Sequence, residues 1–233
     1  FWSRIRNTLI ISLYSLLFQF PAPILLALLF NEVTSLKFKK FAQTVTYLPH
    51  FISIVVVAGL VTNFLSPSNG NINLIIEKLG GEKIFFLSKK EYFRTIYILM
   101  GIWQEVGFGS IVYLAAFAGI DTQLYEAAYI DGAKKFSRIW HVTLPGIAPT
   151  IVIMLIMRIG NILNVSYEAI ILLYQPITYE KADVLSTYMY RTGISEGRYD
   201  LAAAIGFFQS TIGFLLVIAA NFLSKKLTET SLW

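Results

Sequence analysis

Residues 9–30 read LIISLYSLLFQFPAPILLALLF and contain no charged side chain. A helix needs about 20 apolar residues to cross the hydrocarbon core of a bilayer, which is roughly 30 Å thick. Pro21 and Pro23 predict a kink in the middle of this run, which neighbouring helices can tolerate in a membrane. The stretch therefore predicts a membrane-spanning helix.

Four more apolar runs of similar length follow, at about 42–65, 95–118, 146–174 and 201–223. Backbone polar groups in lipid must be paired internally, and long unbroken apolar runs achieve this as helices, whereas β-barrels show short alternating segments. We therefore predict an all-α membrane protein with five spans in one transmembrane domain over residues 1–233.

Composition supports this fold class. Hydrophobic residues make up 56% of the chain and charged residues 14%, against about 25% charged in soluble domains. The net charge of +5 suggests loops near anionic lipid, and no basic run with interleaved aromatic residues indicates nucleic-acid binding. There is no cysteine, and His50 and His141 lie far apart without a nearby carboxylate motif, so we predict no metal site. We predict no cofactor and no catalytic residue in this chain.

The connection at about 119–145 carries the most specific motif. Its signature, an acidic residue and two alanines followed at fixed spacing by glycine and Leu-Pro, is formed by Glu126, Ala127, Ala128, Gly132, Leu144 and Pro145. This pattern resembles the EAA loop of permease subunits in binding-protein-dependent ABC importers. The resemblance implies that the loop faces the cytoplasm and touches a partner ATPase.

The local sequence suggests how such a contact would be built. Asp121 or Thr122 is the predicted N-cap of a helix over about 122–135. Three groups would face the partner: the small residues Ala127, Ala128 and Gly132, the apolar residues Leu124 and Tyr125, and the acidic residues Glu126 and Asp131. A short helix held in a partner's cleft would transmit the partner's movement to the spans on either side.

Further phrases resemble the oligosaccharide and polysaccharide subgroup of these permeases, the maltose- and alginate-type systems. They are Tyr47–Ser53, Asn164–Tyr174, Ala182–Tyr188 and Glu229–Trp233. The resemblance implies a type I importer transmembrane domain with six spans in the full-length protein, one of them before Phe1. It also implies alternating access in a bacterial cytoplasmic membrane.

The same resemblance implies a set of partners. They are a second permease subunit that forms a heterodimer with this one, two ATPase subunits that bind the ATP and magnesium, an extracytoplasmic solute-binding protein, an oligosaccharide and membrane lipid. The sequence contains no G-x-x-x-x-G-K-[ST] motif, so ATP hydrolysis is expected from another chain. Basic residues are spread too evenly to set the orientation, which rests on the EAA resemblance and places the outer loops at about 66–94 and 175–200.

Polar residues inside the predicted spans are candidates for the transport path, because ionisable groups at membrane depth are costly. The candidates are Trp103, Glu105, Arg158, Asn161, Asn164, Tyr167 and Glu168. Glu105 and Arg158 have matching depth on sequential spans, which predicts an ion pair. Arg158, Asn161, Asn164 and Glu168 would share one helix face, and this stripe either lines the path or packs against polar groups of other helices or of a second subunit.

Other functions stay open at this point. Glu105 and Arg158 would suit a secondary transporter driven by an ion gradient, although no inverted repeat is evident. A membrane enzyme would need a motif such as H-E-x-x-H or a nucleophile elbow, and the sequence has neither. An ABC importer for a solute other than a sugar is the third alternative.

Overall fold

The computed structural model describes residues 1–228, Ser231 and Leu232, so Glu229, Thr230 and Trp233 of the tail phrase lie outside the described residues. The α-helices are, in chain order, α1 (Trp2–Tyr14), α2 (Pro21–Glu32), α3 (Leu36–Tyr47), α4 (Ile54–Leu65), α5 (Asn71–Lys78), α6 (Lys90–Ala118), α7 (Thr122–Ile130), α8 (Lys135–Arg138), α9 (Leu144–Gly160), α10 (Tyr167–Leu173), α11 (Tyr179–Ala182), α12 (Leu185–Tyr190) and α13 (Tyr199–Thr228). Short 3-10 turns lie at Leu48–Phe51, Phe86–Ser88 and Pro176–Thr178, and π-helical turns at Ser15–Gln19, Ile139–Thr143 and Arg191–Ser195. The described part of the chain contains no strand, so the predicted all-α class is confirmed.

The membrane-spanning helices match three of the five predicted spans closely, the first, the third and the fifth. Trp2–Glu32, Lys90–Ala118, Lys135–Gly160 and Tyr199–Lys226 are each long and apolar enough to cross a bilayer. Leu36–Phe51 and Ile54–Leu65 meet the same test only together, and they are bent by 103° at the break between them. The count is five if this bent pair is one span.

The second span is therefore not the continuous helix predicted over 42–65. Pro49 lies in the 3-10 turn that ends α3, where it has no backbone N–H to donate. Ile52 is extended, and Ser53 then caps α4 by accepting a hydrogen bond from Val56 N at 3.4 Å. A proline followed by a capping serine ends one helix and starts another, and we call the segment 48–53 the elbow.

The fourth span also ends earlier than predicted. The α9 helix stops at Gly160, and the chain is irregular until Ser166 caps α10 through Ala169 N. Irregular backbone at membrane depth needs partners for its carbonyl groups. Ser12 Oγ donates to Ile162 O, and Gln209 Nε2 donates to Leu163 O at 2.8 Å. The prediction that Arg158, Asn161, Asn164 and Glu168 share one helix face is wrong, because only Arg158 lies on α9.

The first span remains helical through the region where Pro21 and Pro23 predict a kink. The π-helical turn before Pro21 places Phe20 N 3.0 Å from Ser15 O, and such turns are a recognised site of helix bending. The fourth span has the same arrangement, a π-helical turn at Ile139–Thr143 directly before Leu144 and Pro145. In both spans the proline follows a turn that accommodates its missing N–H.

Helix packing depends on close approach between the spans. The α2 helix packs along α6, and α9 packs along α13. At Gly107 of α6, a Cβ atom would lie 1.9 Å from Thr46 O at the end of α3, so only glycine fits there. Glycine therefore permits the close approach of α3 and α6 at this position.

Segments between spans fold as small helical units. The α5 helix ends at Lys78, and Gly80 follows shortly after it with φ +83°. Asn73 of α5 is buried and donates to Leu65 O, Ser66 O and Ile84 O. This side chain ties α5 to the end of α4 and to the chain that leads into α6.

Candidate transport cavity and coupling loop

A cavity of about 830 Å³ opens between the first span, α4, α6, α9 and the irregular segment after Gly160. Four predicted path residues line it, namely Glu105, Arg158, Asn161 and Asn164. The other lining groups with polar side chains include Ser12, Ser15, Gln19, Tyr97, Gln104 and Ser166. The cavity therefore combines an apolar wall with hydrogen-bonding groups from several helices.

Arg158 is bound to the first span. Its Nη2 donates to Ser15 Oγ and to Gln19 Oε1, the latter at 3.0 Å. Ser15 Oγ also donates to Gln19 Oε1, and Gln19 Nε2 donates to Ile98 O at 3.3 Å, which fixes the orientation of the amide. The two acceptors of Arg158 were missed in the sequence, although a serine and a glutamine four residues apart in an uncharged span signal one polar helix face.

Glu105 pairs with a different residue from the one predicted. Its Oε2 lies 2.9 Å from His50 Nδ1 in the elbow, and no contact within 4 Å joins the described side chains of Glu105 and Arg158. The predicted Glu105–Arg158 ion pair is therefore wrong. The reason is the break in the second span, which turns His50 toward α6, where its ring also stacks on Phe108 at 3.8 Å between centroids.

The elbow has a second hydrogen bond to α6, from Gln104 Nε2 to Ile52 O at 3.0 Å. This bond satisfies a carbonyl that the break in the helix leaves without a helical partner. His50 is thus a hydrogen-bonding residue between the elbow and α6. The elbow is thus fixed to α6 by two polar contacts and one stacking contact.

Asn161 and Asn164 present amide groups to the cavity from the irregular segment after α9. Asn161 Nδ2 donates to Met157 O at 3.1 Å, and Asn164 Nδ2 donates to Asn161 Oδ1 at 3.4 Å. Both side chains are exposed. They offer hydrogen bonds to a solute from an unwound segment instead of from a helix face.

Three predicted path residues do not reach the cavity. Trp103 lies on α6 and is 47% exposed, but it is not part of the cavity wall. Tyr167 stacks on Tyr190 with 5.0 Å between ring centroids, and its hydroxyl donates to Glu168 at 3.3 Å. The break after Gly160 turns Tyr167 and Glu168 away from the direction that a continuous helix would give them.

The EAA-like loop contains a shorter helix than predicted. Asp121 is the N-cap, and its Oδ1 accepts from Gln123 N at 2.9 Å. The helix α7 ends at Ile130, and Gly132 follows with φ +75°. Gly132 N donates to Tyr129 O and Ala133 N donates to Ala128 O, which is a Schellman C-cap. Gly132 therefore ends the helix, and the predicted strip of small residues along one helix to 135 is wrong.

Side chains of α7 divide into an inner and an outer set. Tyr125 faces inward, with its hydroxyl 3.0 Å from Thr143 Oγ1 at the start of the fourth span, so it is not the outward apolar anchor that was predicted. Glu126 and Ala127 are exposed, and Ala128 is half-buried. Asp131 and Pro145 are also exposed, and Leu144 is half-buried. Glu126, Ala127, Asp131 and Pro145 are thus accessible to solvent, and Ala128 and Leu144 are partly so.

Exposed apolar residues surround this surface, and the sequence analysis missed most of them. They are Leu124, Tyr129, Ile130, Phe136 and Trp140. Phe136 and Trp140 stack with 6.4 Å between ring centroids, and their spacing of four residues is the sequence signal that predicts such a pair. Large exposed apolar patches mark sites of protein contact.

The loop is fixed to two spans. Lys135 Nζ lies 2.8 Å from Glu32 Oε2 at the end of the first span, and the Tyr125–Thr143 contact joins α7 to the fourth span. The first and fourth spans both line the cavity. The Tyr125–Thr143 contact thus joins α7 to one wall of the cavity, and the Lys135–Glu32 pair joins α8 to the other.

Such an arrangement is that of a membrane transport subunit, with a polar cavity between broken spans and an exposed helix joined to the cavity walls. The chain belongs to the family of binding-protein-dependent transport system inner membrane components, whose sequence profile matches residues 19–229. Members of this family are the permease subunits of ABC importers and are not catalysts. Membership places the chain in the inner, cytoplasmic membrane and excludes the gradient-driven alternative.

Two relatives in Bacillus subtilis (strain 168) cover the whole chain. Protein LplB is 42% identical, and the polygalacturonan/rhamnogalacturonan transport system permease protein YteP is 44% identical; the chain spans 73% of the length of each. A crystal structure of a bacterial alginate ABC transporter, in complex with an alginate pentasaccharide-bound periplasmic protein, contains a chain that is 52% identical. Its TM-score is 0.97, with 100% of this chain and 81% of that chain covered. A second crystal structure, of a bacterial ABC transporter involved in import of the acidic polysaccharide alginate, contains a chain that is 53% identical with a TM-score of 0.95, covering 98% and 80%.

Proposed function

We propose that this permease takes up an oligosaccharide or a polysaccharide fragment delivered by an extracytoplasmic solute-binding protein. The observation that carries the proposal is the cavity, which Asn161 and Asn164 line. Their hydrogen bonds to described residues use only part of the hydrogen-bonding capacity of the two amides. Amide groups in a wet cavity suit a solute rich in hydroxyls. The relatives that transport polygalacturonan, rhamnogalacturonan and alginate support the same class of cargo.

Transport would be driven from the coupling loop. We place α7 in a cleft of a partner ATPase, with Glu126 and Asp131 near basic residues of that partner and Tyr129 and Ile130 in apolar contact with it. ATP and magnesium would be bound by the partner and not by this chain. Closure of two ATPase subunits would move α7, and the contacts at Thr143 and Glu32 would carry the movement into the fourth and first spans.

The cavity would then face the two sides of the membrane in turn. The elbow holds the second span against α6, so α6 and α4 move together, whereas the first and fourth spans follow the loop. Alternating access needs two such bodies that shift against each other around one site. A second permease subunit, different from this one, would supply the opposite wall of the path, and its contact would cover some of the exposed apolar side chains of α13.

The experiment that tests this proposal is sugar-stimulated ATP hydrolysis by the assembled importer in lipid. Wild type is compared with Glu126→Lys on the exposed face of α7 and with Glu82→Lys, an exposed charge reversal outside the loop. We expect stimulation by a loaded binding protein in wild type and Glu82→Lys, and loss of stimulation in Glu126→Lys. Stimulation by a non-sugar solute alone would overturn the proposed cargo, and equal stimulation in both variants would overturn the role of α7.

A further inference from the structure

We infer that Arg158 recognises a carboxylate, so that the cavity selects acidic, uronate-containing oligosaccharides over neutral ones. This inference rests on the proposed function and names the chemistry of its cargo. Among the cavity-lining residues, all within the described part of the chain, only Arg158 and Glu105 carry a formal charge near neutral pH. Their environments differ, and the difference determines which charge is available to a solute.

Glu105 is already engaged. Its Oε2 lies 2.9 Å from His50 Nδ1, which is hydrogen-bond distance. The imidazole is itself held by stacking on Phe108 with ring planes 2° apart. The carboxylate is therefore directed to the elbow, and a solute would have to compete with an existing partner to reach it.

Arg158 is oriented but not neutralised. Both of its hydrogen bonds to described residues are made by Nη2, and both acceptors, Ser15 Oγ and Gln19 Oε1, are uncharged. Nε and Nη1 have no hydrogen-bond partner among the described residues, and the side chain is exposed to the cavity. A cavity-lining guanidinium with two nitrogen atoms that lack partners among the described residues is suited to bind the planar oxygens of a carboxylate.

Hydrogen bonds of Gln19 orient the guanidinium of Arg158. Gln19 Nε2 donates to Ile98 O, which leaves Gln19 Oε1 directed at Arg158. Gly101 makes this possible, since a Cβ atom at that position would lie 2.2 Å from Gln19 Nε2. Gln19, Ser15 and Gly101 are therefore positioning residues for Arg158, and a binding site with a rigid support loses less entropy when it binds.

Amide groups that can bind the hydroxyls of a sugar lie in the same cavity as Arg158. Asn161 is three residues from Arg158, just after the end of α9, and Asn164 follows in the irregular segment. A sugar unit whose carboxylate is bound by Arg158 would find amides for its ring hydroxyls within the same cavity. Arg158 thus sets the charge preference, and the two asparagines bind groups common to acidic and neutral sugars.

The test is equilibrium binding to the importer assembled in lipid nanodiscs without the binding protein, by titration calorimetry. The probes are trigalacturonate and its methyl ester, which has the same size and no charge. Arg158→Gln is compared with wild type and with Arg198→Gln, which removes an exposed cation outside the cavity. We expect Arg158→Gln to weaken trigalacturonate binding about tenfold, the effect of one charge-assisted hydrogen bond, and to leave binding of the ester unchanged.

Two further variants separate recognition from packing. Arg158→Lys should retain a preference for the acid, and Gly101→Ala, which displaces Gln19, should weaken binding of the acid more than that of the ester. Basal ATP hydrolysis reports that each variant is assembled. Three results would overturn the inference. They are an equal loss of affinity for both probes in Arg158→Gln, the absence of a preference for the acid in wild type, and the absence of binding of either probe to wild type. The proposed function fails separately, when no sugar of either kind stimulates ATP hydrolysis by the wild-type importer with its binding protein.

Discussion

His50 Nδ1 lies 2.9 Å from Glu105 Oε2, and this contact joins the broken second span to the third. The pair sits beside the cavity, which Glu105 lines together with Phe108, the residue on which His50 stacks. It replaces the Glu105–Arg158 pair that the matching depths of the two residues suggested. The elbow therefore determines which charges meet, because it brings a residue of the second span to the side of α6.

A double-mutant cycle distinguishes the two pairings. His50→Phe keeps the stacking on Phe108, and Glu105→Gln keeps the side-chain size, so their combination reports the polar contact. The side chains are 29% and 57% exposed, so we expect a coupling energy of about 1 kcal/mol or less. The measurement is the thermal unfolding of the purified importer, with single and double variants compared.

The cycle between Glu105→Gln and Arg158→Gln is the matched control. These two side chains share no contact within 4 Å, so their effects on unfolding should add. A clear coupling in this second cycle, together with none in the first, would contradict the assignment of His50 as the partner of Glu105.

Gly107 is predicted to tolerate no side chain. A Cβ atom would lie 1.9 Å from Thr46 O, which is backbone and cannot rotate away. Gly107→Ala should therefore push α3 from α6 and destabilise the importer by about 1–3 kcal/mol or more. Gly59→Ala on α4 is the control, since a Cβ atom there meets nothing within 4 Å. Thermal unfolding by size-exclusion chromatography after heating measures both, and equal midpoints would show that the contact at Gly107 is relieved at no cost.

We predict that Gly132 is required because of its left-handed backbone conformation, and that an added Cβ atom would cause no steric clash. Its φ is +75°, yet a Cβ atom would meet nothing within 4 Å. Gly132→Ala should cost about 1–2 kcal/mol in the left-handed conformation and disturb the end of α7, so sugar-stimulated ATP hydrolysis should fall while basal hydrolysis remains. Gly132→Asn should retain more stimulation, because asparagine visits this conformation more readily.

The control for Gly132 lies at the start of the same loop. Gly119 has no positive φ, and the nearest atom to an added Cβ is Ala116 O at 3.4 Å. Gly119→Ala should therefore leave stimulation close to wild type. Equal losses in the two alanine variants would indicate that the loop responds to any added side chain, and the Schellman cap would not be the cause.

The sequence predicted the fold well where apolar runs were long and lacked capping residues. The first, third and fifth spans are helices close to their predicted bounds. The prediction of continuous helices was wrong where a proline or a capping serine interrupts the span. These places are Pro49-x-x-x-Ser53 and the segment between Gly160 and Ser166. Hydropathy averaged over a whole span does not reveal these breaks, because each is only a few residues long and lies beside strongly apolar stretches.

The sequence identified the charged residues of the candidate site but not their partners, because the partners depend on the helix breaks. Glu105 and Arg158 were identified from their charge at membrane depth, and both line the cavity. Their partners depended on the breaks in the second and fourth spans, so the pairing could not be derived from depth alone. Tyr125 was assigned outward, but a hydrogen bond to Thr143, 18 residues away, turns it inward.

Asp183 in the segment between the fourth and fifth spans links that segment to α1. Its carboxylate accepts from Arg4 Nε at 2.7 Å, from Arg191 Nη2 at 3.0 Å and from Thr187 Oγ1 at 2.8 Å. Burial by itself would raise the pKa of Asp183, but the hydrogen bonds from Arg4, Arg191 and Thr187 outweigh it and hold the pKa below its usual value. The side chain is 10% exposed, so the ion pairs are largely shielded from solvent.

Asp183→Asn should destabilise the importer at neutral pH by about 3 kcal/mol, because it leaves two arginines without their counter-charge. Since the folded-state pKa is depressed, the stabilisation by Asp183 is fully present above the unfolded-state pKa of about 3.9 and is lost as the pH falls through the lower folded-state pKa. The difference in unfolding temperature between wild type and variant should therefore be constant near neutrality and shrink below about pH 4.

Asp200→Asn, an exposed change at the start of α13, is the control and should show no such difference in unfolding temperature. A difference for Asp183→Asn that stayed constant down to about pH 3 would mean that the variant acts through packing and that the charge of Asp183 contributes nothing.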